Sequence, residues 1–253
     1  MRIAIAGAGG RMGRTLIDAV LADRELTLAA AFDVPGSAAI GQSAGDMKIA
    51  SDVKVAEAAD VVIDFTRPEG TLAHLKHARA MVIGTTGFSA AQRETILERA
   101  KSIPVVMAAN FAVGVNAAYK LAETAAKILG EGYDVEIIEA HHRHKVDAPS
   151  GTALKLGEVV ANALNRKLSN VASYGREGDT GERPAKQIGF HSIRGGDIVG
   201  EHTVIFAGQG ERVEVTVRSQ SRATYAAGAL RAAKFLKSKA PGLYDMSDVL
   251  GLK

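Results

Sequence analysis

The chain has 253 residues, 47% hydrophobic and 23% charged, which leaves room for one large or two modest domains with a sizeable core. A formal net charge of +3, an aromatic content of 5% and no tryptophan argue against a nucleic-acid-binding surface, which needs a basic face and stacking platforms. With no cysteine there are no disulfides, thiolate metal sites or cysteine nucleophiles, which suits a reducing cytoplasm. No apolar run reaches the ~18 residues a membrane span needs, and the N-terminus shows no signal-peptide pattern.

Residues 2–6, RIAIA, read as a short, nearly continuous apolar strand buried on both faces of a parallel sheet. GAGGRMG follows at 7–13, and the apolar residues from Arg14 onward recur with helical spacing. Strand, glycine-rich turn and helix, in that order, form the context in which backbone N–H groups cradle a pyrophosphate. Met12 stands where strict Gly-x-Gly-x-x-Gly has its last glycine, so a tight turn without a ligand is the alternative for this motif alone. The next apolar run, Leu26 to Phe32, ends in Asp33, an acidic residue placed to accept from adenosine ribose hydroxyls. On this reading Gly7, Ala8, Gly9, Gly10, Arg11 and Met12 hold the pyrophosphate and Asp33 the ribose. Asp33 disfavours a 2′-phosphate and Val34 follows it in place of an arginine, while Arg11 could offset the effect; NADH is favoured and NADPH stays open.

Further strands at 60–66, 81–87 and 104–111 alternate with helices at about 70–80 and 89–101. That β-α alternation predicts an α/β fold of Rossmann type, a doubly wound parallel sheet whose ligands bind outside the carboxyl ends of the strands. Arg67, then Gly84, Thr85 and Thr86, then Ala108, Ala109, Asn110 and Phe111 fall at such ends. From about 112 the texture changes. An alanine-rich helix (114–129), a strand (133–140), a helix (150–165), a polar glycine-rich segment (175–184) and strand-like runs at 187–193, 202–207 and 212–218 predict a smaller α+β domain. Its sheet reads as mixed and mostly antiparallel. A last alanine-rich helix, 223–238, is assigned back to the first domain. The expected division is therefore a dinucleotide-binding domain of 1–111 with 222–253, and a second domain of 112–221.

The segment EAHHRHKVDAPSGTA, 139–153, is the most unusual in the chain, placing three of its seven histidines within four residues. It falls at a strand end and in the loop beyond. A solvated basic loop is one reading. A metal site is another, weakened because His141 and His142 would point to opposite faces of a strand and no helical His-x-x-x-His pair is present, so no metal is expected. An acid/base and anion site explains more of the residues. Imidazoles can exchange protons near neutral pH, and Lys145 adds a point charge and a second donor. Ser150, Gly151 and Thr152 offer hydroxyls and free N–H groups where a helix begins.

GAGGRMG (7–13), DFTRPEG (64–70), IGTTGF (83–88), AANFAVGVN (108–116) and above all EAHHRHKVDAPSGTA resemble dihydrodipicolinate reductase, now named 4-hydroxy-tetrahydrodipicolinate reductase. GDIVGEHT (196–203) and GERVEVTVRSQSR (210–222) extend the resemblance over nearly the whole chain. It implies an NAD(P)H-dependent oxidoreductase, the second enzyme of the diaminopimelate route to lysine, working as a cytoplasmic homotetramer on a small dicarboxylate. It implies too that the second domain, 112–221, binds substrate and builds the tetramer. It also implies roles: Gly84–Thr86 and Ala108–Phe111 line the nicotinamide side, and His141 is the acid/base residue with Lys145 as second proton donor. His142, Gly151 and Thr152 bind the dicarboxylate. The stretch between 33 and 60 is shorter than in many relatives, which leaves the adenine-side contacts and cofactor preference open. Two rivals stand beside this reading: another two-domain nicotinamide dehydrogenase, which would share the glycine turn and Asp33 but not need the histidine-rich block, and a dinucleotide sensor that binds NADH without turning over any dicarboxylate.

Overall fold

The structure, a computed structural model, describes residues 1–252. The chain begins β1 (Arg2–Ala6), α1 (Arg11–Ala22), β2 (Thr27–Phe32), a small hairpin of β3 (Ser43–Ala44) and β4 (Met47–Lys48), and β5 (Val61–Asp64). It continues through α2 (Pro68–Leu75), β6 (Met81–Ile83), α3 (Ala90–Ala100) and β7 (Pro104–Met107). Next come α4 (Val113–Leu129), β8 (Asp134–His141), α5 (Gly151–Ala163), α6 (Leu168–Val171), β9 (Ala172–Tyr174), β10 (Ile188–Arg194), β11 (Gly200–Ala207) and β12 (Arg212–Ser219). The last elements are α7 (Ala223–Leu236), β13 (Gly242–Tyr244) and α8 (Met246–Leu250). The chain divides into two units, Met1–Val113 with Arg222–Lys253, and Gly114–Ser221; the pattern placed the first break at 111.

In the first unit six parallel strands lie in the order β13-β7-β6-β5-β1-β2. The RIAIA strand shows why the sheet is covered on both faces. Ile3 and Ile5 enter one apolar layer with Leu16 and Val20 of α1 and Ala229 and Ala233 of α7. Ala4 and Ala6, pointing the other way, enter a second layer with Leu75 of α2 and Ile96 of α3. The strand order reverses at β1, which has β2 on one side and β5 on the other, so the crevice outside its carboxyl end is where a ligand of such a sheet sits.

Local chemistry sets the helix ends. Ser89 caps α3 by accepting from Gln92 N while the Gln92 side chain accepts from Ser89 N, a reciprocal box that satisfies two free donors. Helix α2 starts at Pro68 and stops at Leu75, short of the expected 80. The Arg99 guanidinium donates to Leu75 O at 3.3 Å and Ala78 O at 3.1 Å, satisfying carbonyls that a longer helix would have used. The sequence pattern missed the β3–β4 hairpin, β9, β13 and α8. Strands of two or three residues carry no readable period, and β13 is a strand only because β7 is there to pair with it.

In the second unit five strands lie in the order β12-β11-β8-β10-β9. β8–β11 and β11–β12 are antiparallel, while β8–β10 and β9–β10 are parallel. The sheet is thus evenly mixed, not mostly antiparallel as the pattern suggested. The cause is the excursion through α5, which returns the chain in its original direction, as a parallel crossover must. Val135 and Ile137 of β8, Ile188 and Phe190 of β10, and Val204 and Phe206 of β11 form one face, packed under Ala122 and Ala126 of α4 and Leu156 and Val160 of α5. On the other face Glu136 accepts from Arg176, Arg183 and His191 at 2.8–3.0 Å, which fastens the polar segment 175–184 to the sheet. Burial alone would raise the Glu136 pKa, but these three partners hold it down to about 2.

Candidate active site

The glycine turn in the first unit is built for close backbone approach. Gly7 has φ +66°, a left-handed conformation that side chains other than glycine's resist. A Cβ on Gly13 would stand 2.1 Å from Gly7 O, so Gly13 lets the first turn of α1 lie against the end of β1. The helix begins at Arg11 with Gly10 as its cap, inside the motif rather than after it, and no side chain caps its first N–H groups. Those N–H groups and the positive end of the helix are what a pyrophosphate requires. Asp33 is tied into the same loop: its carboxylate accepts from Gly9 N and Val34 N, each at 2.8 Å. A Cβ on Gly9 would stand 2.4 Å from Ala39 Cβ and 2.7 Å from Asp33 Oδ2, so only glycine holds this distance between the turn and β2. Ala8 is fully buried and offers a ligand its backbone alone. Among the residues present, this cradle fits a dinucleotide.

At the carboxyl ends of β5 and β6 a buried network joins the two loops that the sequence reading singled out. Asp64, with no exposure, accepts from Thr66 N and Thr66 Oγ1 at 2.8 and 2.7 Å, from Thr85 Oγ1 at 3.2 Å, and pairs with His74 Nδ1 at 2.6 Å. Thr85 Oγ1 in turn accepts from Thr66 N and Thr71 Oγ1. Thr85 therefore serves to hold the loop; Arg67, Thr86 and Ala109 are the exposed members of this edge. Asp64 opens the DFTRPEG motif but carried no assigned role there, and His74 lies outside every motif quoted from the sequence.

The second unit gathers the histidine-rich block at one end of β8. Only His141 belongs to the strand; residues 142–145 turn, with Lys145 N donating to His142 O at 3.1 Å. His142 and His144 are therefore loop residues, their ring centroids 6.2 Å apart. Alternation along β8 puts Glu139 and His141 on the same face as Val135 and Ile137, the face that α5 covers. Register then brings in two distant residues: His202 of β11 lies opposite Glu139, and Arg194 of β10 lies opposite His141.

Glu139 is 1% exposed and fully engaged. It accepts from Arg194 Nη1 at 2.8 Å and Nη2 at 2.7 Å, from Ser150 N at 3.2 Å, and pairs with His141 Nδ1 at 2.6 Å. Burial raises its pKa, but the two-pronged Arg194 pair and its other partners bring it down to about 2, so it is ionised. Burial holds His141 below the usual imidazole range, with Glu139 pulling the other way and Lys145 and Arg194 adding to the lowering. His202 is 5% exposed; burial first and His141 second press its pKa to about 4, so it is neutral. Lys145 Nζ is held by Asp147 at 2.9 Å.

Ser150 is the residue the sequence reading placed differently. It is 2% exposed, caps α5 by accepting from Ala153 N at 3.2 Å, and shares its hydroxyl with His202 Nε2 at 3.0 Å. Its hydroxyl supports the loop and is not presented to a ligand. Gly151, by contrast, is exposed at the start of α5, and a Cβ there would meet nothing within 4 Å. His142 Nδ1 is buried and has no hydrogen-bond partner among the described residues. No group of three or more His, Cys, Asp or Glu with metal-holding geometry occurs among the described residues.

Residues 1–111 match the family model described as "Dihydrodipicolinate reductase, N-terminus", and residues 114–250 match "Dihydrodipicolinate reductase, C-terminus". The chain is 62% identical, over its full length and that of the relative, to a 4-hydroxy-tetrahydrodipicolinate reductase of Cupriavidus metallidurans. It is 62% identical to one of Aromatoleum aromaticum, covering all of this chain and 96% of that one. Among solved structures it superposes on a dipicolinate-bound dihydrodipicolinate reductase from a Paenisporosarcina species with a TM-score of 0.78, 26% identity and 97% coverage of each chain. A probable dehydrogenase from Thermotoga maritima, at 12% identity and a TM-score of 0.62, shares the fold alone. The chain belongs to the dihydrodipicolinate reductase family.

Proposed function

We infer that this chain reduces 4-hydroxy-tetrahydrodipicolinate to tetrahydrodipicolinate in the diaminopimelate route to lysine, consuming NADH or NADPH and a proton and releasing water. The observation that carries this is the cluster at the end of β8. A histidine is held by an ionised, buried carboxylate beside a lysine, at the start of a helix whose first residue leaves room for an anion. The bound cofactor supplies the hydride.

The protein's own residues do the rest. Gly7, Gly9, Gly10, Arg11 and Met12 hold the pyrophosphate, and Asp33, beside Gly9, takes the adenosine ribose and favours NADH. Arg67, Gly84, Thr86 and Ala108–Phe111 border the nicotinamide side, with Thr85 fixed behind them by Asp64. Gly151 N–H, Thr152 and His142 take substrate carboxylates at the positive end of α5. His141 delivers the proton that accompanies hydride addition, and Lys145 is the second donor. Dipicolinate bound to the Paenisporosarcina relative supports a dicarboxylate ligand. A homotetramer in the cytoplasm completes the proposal, as suits a biosynthetic enzyme drawing on the soluble nicotinamide pool.

The test is NADH oxidation, followed by loss of its near-ultraviolet absorbance, with substrate formed in situ from pyruvate and aspartate semialdehyde by the preceding synthase. Turnover that falls on adding dipicolinate is the expected result. NADH binding without turnover would assign the block to another carboxylate or to a sensor.

A further inference from the structure

We propose that Glu139 is the positioning residue of the proton-transfer step, fixing His141 through Nδ1 so that Nε2 is the nitrogen that gives up the proton, with Arg194 holding Glu139 in place. The proposal rests on the acid/base reading of His141 and deepens it.

Three features of the geometry carry it. First, an ionised carboxylate accepts hydrogen bonds and cannot donate them, so the 2.6 Å contact requires the hydrogen to sit on His141 Nδ1. The tautomer follows, and Nε2 is left as the exchanging nitrogen, with no hydrogen-bond partner among the described residues. Second, Glu139 cannot swing away. Arg194 grips both of its oxygens and also donates to Asp147 O at 2.7 Å, so one guanidinium ties the carboxylate to the loop that carries Lys145. Third, the same carboxylate accepts from Ser150 N, the cap of the helix that starts at Gly151. One buried charge thus orients the proton donor and the anion-binding helix start together. His202 packs its ring against that of His141 at 5.1 Å and 74°, closing the side away from Arg194, and Gly200 passes close by Nε2, where a Cβ would stand 3.1 Å away. The charged and titratable groups around His141 are therefore Glu139 on β8, Lys145 in the loop, Arg194 on β10 and His202 on β11.

The first measurement is the tautomer of His141 in the unaltered protein, by long-range nitrogen–proton NMR on histidine-labelled material. Hydrogen on Nδ1 is expected; hydrogen on Nε2 overturns the proposal. It needs no substrate, so it decides on Glu139 even if the reductase reading fails, which an absence of turnover in the unaltered protein would reveal. The second measurement is the pH dependence of kcat in Glu139→Gln and Arg194→Gln. Losing the Glu139 charge lowers the His141 pKa, so the limb on which activity falls with rising pH moves to lower pH, and kcat near neutrality drops about ten- to a hundredfold with NADH affinity unchanged. Losing the Arg194 charge moves the same limb to higher pH. Opposite shifts are what structural damage alone would not produce. A limb that stays put in folded Glu139→Gln, or two shifts in one direction, overturns the proposal.

Discussion

His202 Nε2 stands 3.0 Å from Ser150 Oγ, tying the first part of β11 to the residue that caps α5. His202 is buried and neutral, its pKa pressed to about 4. Because the folded value lies below the unfolded one near 6.5, the unfolded chain binds the proton first as pH falls. Stability is therefore unaffected above pH ~6.5 and is lost as pH drops from there toward about 4, by up to about 3 kcal/mol for this group. Urea unfolding at a series of pH values should show this slope, and His202→Asn should flatten it. An equal slope in that variant would mean that other groups set it.

Gly151→Ala separates packing from ligand binding. A Cβ there meets no protein atom within 4 Å, and alanine suits a helix start, so the thermal midpoint should stay within a degree or two or rise slightly. Affinity for dipicolinate should fall about tenfold or more, because the methyl occupies the space assigned to the carboxylate. Calorimetric titration reads both the affinity and the integrity of the site.

His141→Ala and Lys145→Ala should each lower kcat by about two to four orders of magnitude, the usual worth of a positioned acid, while NADH affinity barely changes. The two residues lie in the second unit and the glycine turn in the first. Equal loss of NADH binding, measured by fluorescence titration, would place these residues in the wrong site.

Gly13→Ala should damage the fold as well as the cofactor site. The added methyl would stand 2.1 Å from Gly7 O, a backbone atom that cannot yield without moving β1. A loss of about 1–3 kcal/mol in denaturant unfolding, with weakened NADH binding, is expected.

Asp33→Ala removes the acceptor for Gly9 N and Val34 N and the charge that opposes a 2′-phosphate. NADH affinity should fall, and the ratio of NADPH to NADH affinity should rise by about tenfold. An unchanged ratio would shift the choice of cofactor to Arg11 or to the segment that follows.

By itself the sequence determined the fold class and the family, and it pointed to the segments where candidate sites lie. RIAIA followed by GAGGRMG, the β-α alternation behind it and the EAHHRHKVDAPSGTA block are local patterns, and local patterns are what periodicity and turn chemistry make readable. The even mix of strand directions, the burial of the Ser150 hydroxyl and the carboxylate network beneath His141 were decided elsewhere. Arg194 and Glu139 are 55 positions apart, and His202 and Ser150 are 52 apart. Each pair meets only because β10 and β11 flank β8 in one register, with alternate side chains turned toward α5. An isolated arginine or histidine in a strand has no local signal of its partner. Only the pairing of strands converts Glu139 from an ordinary buried-strand residue into an ionised acceptor, because only there does a guanidinium offset the cost of taking its charge out of water.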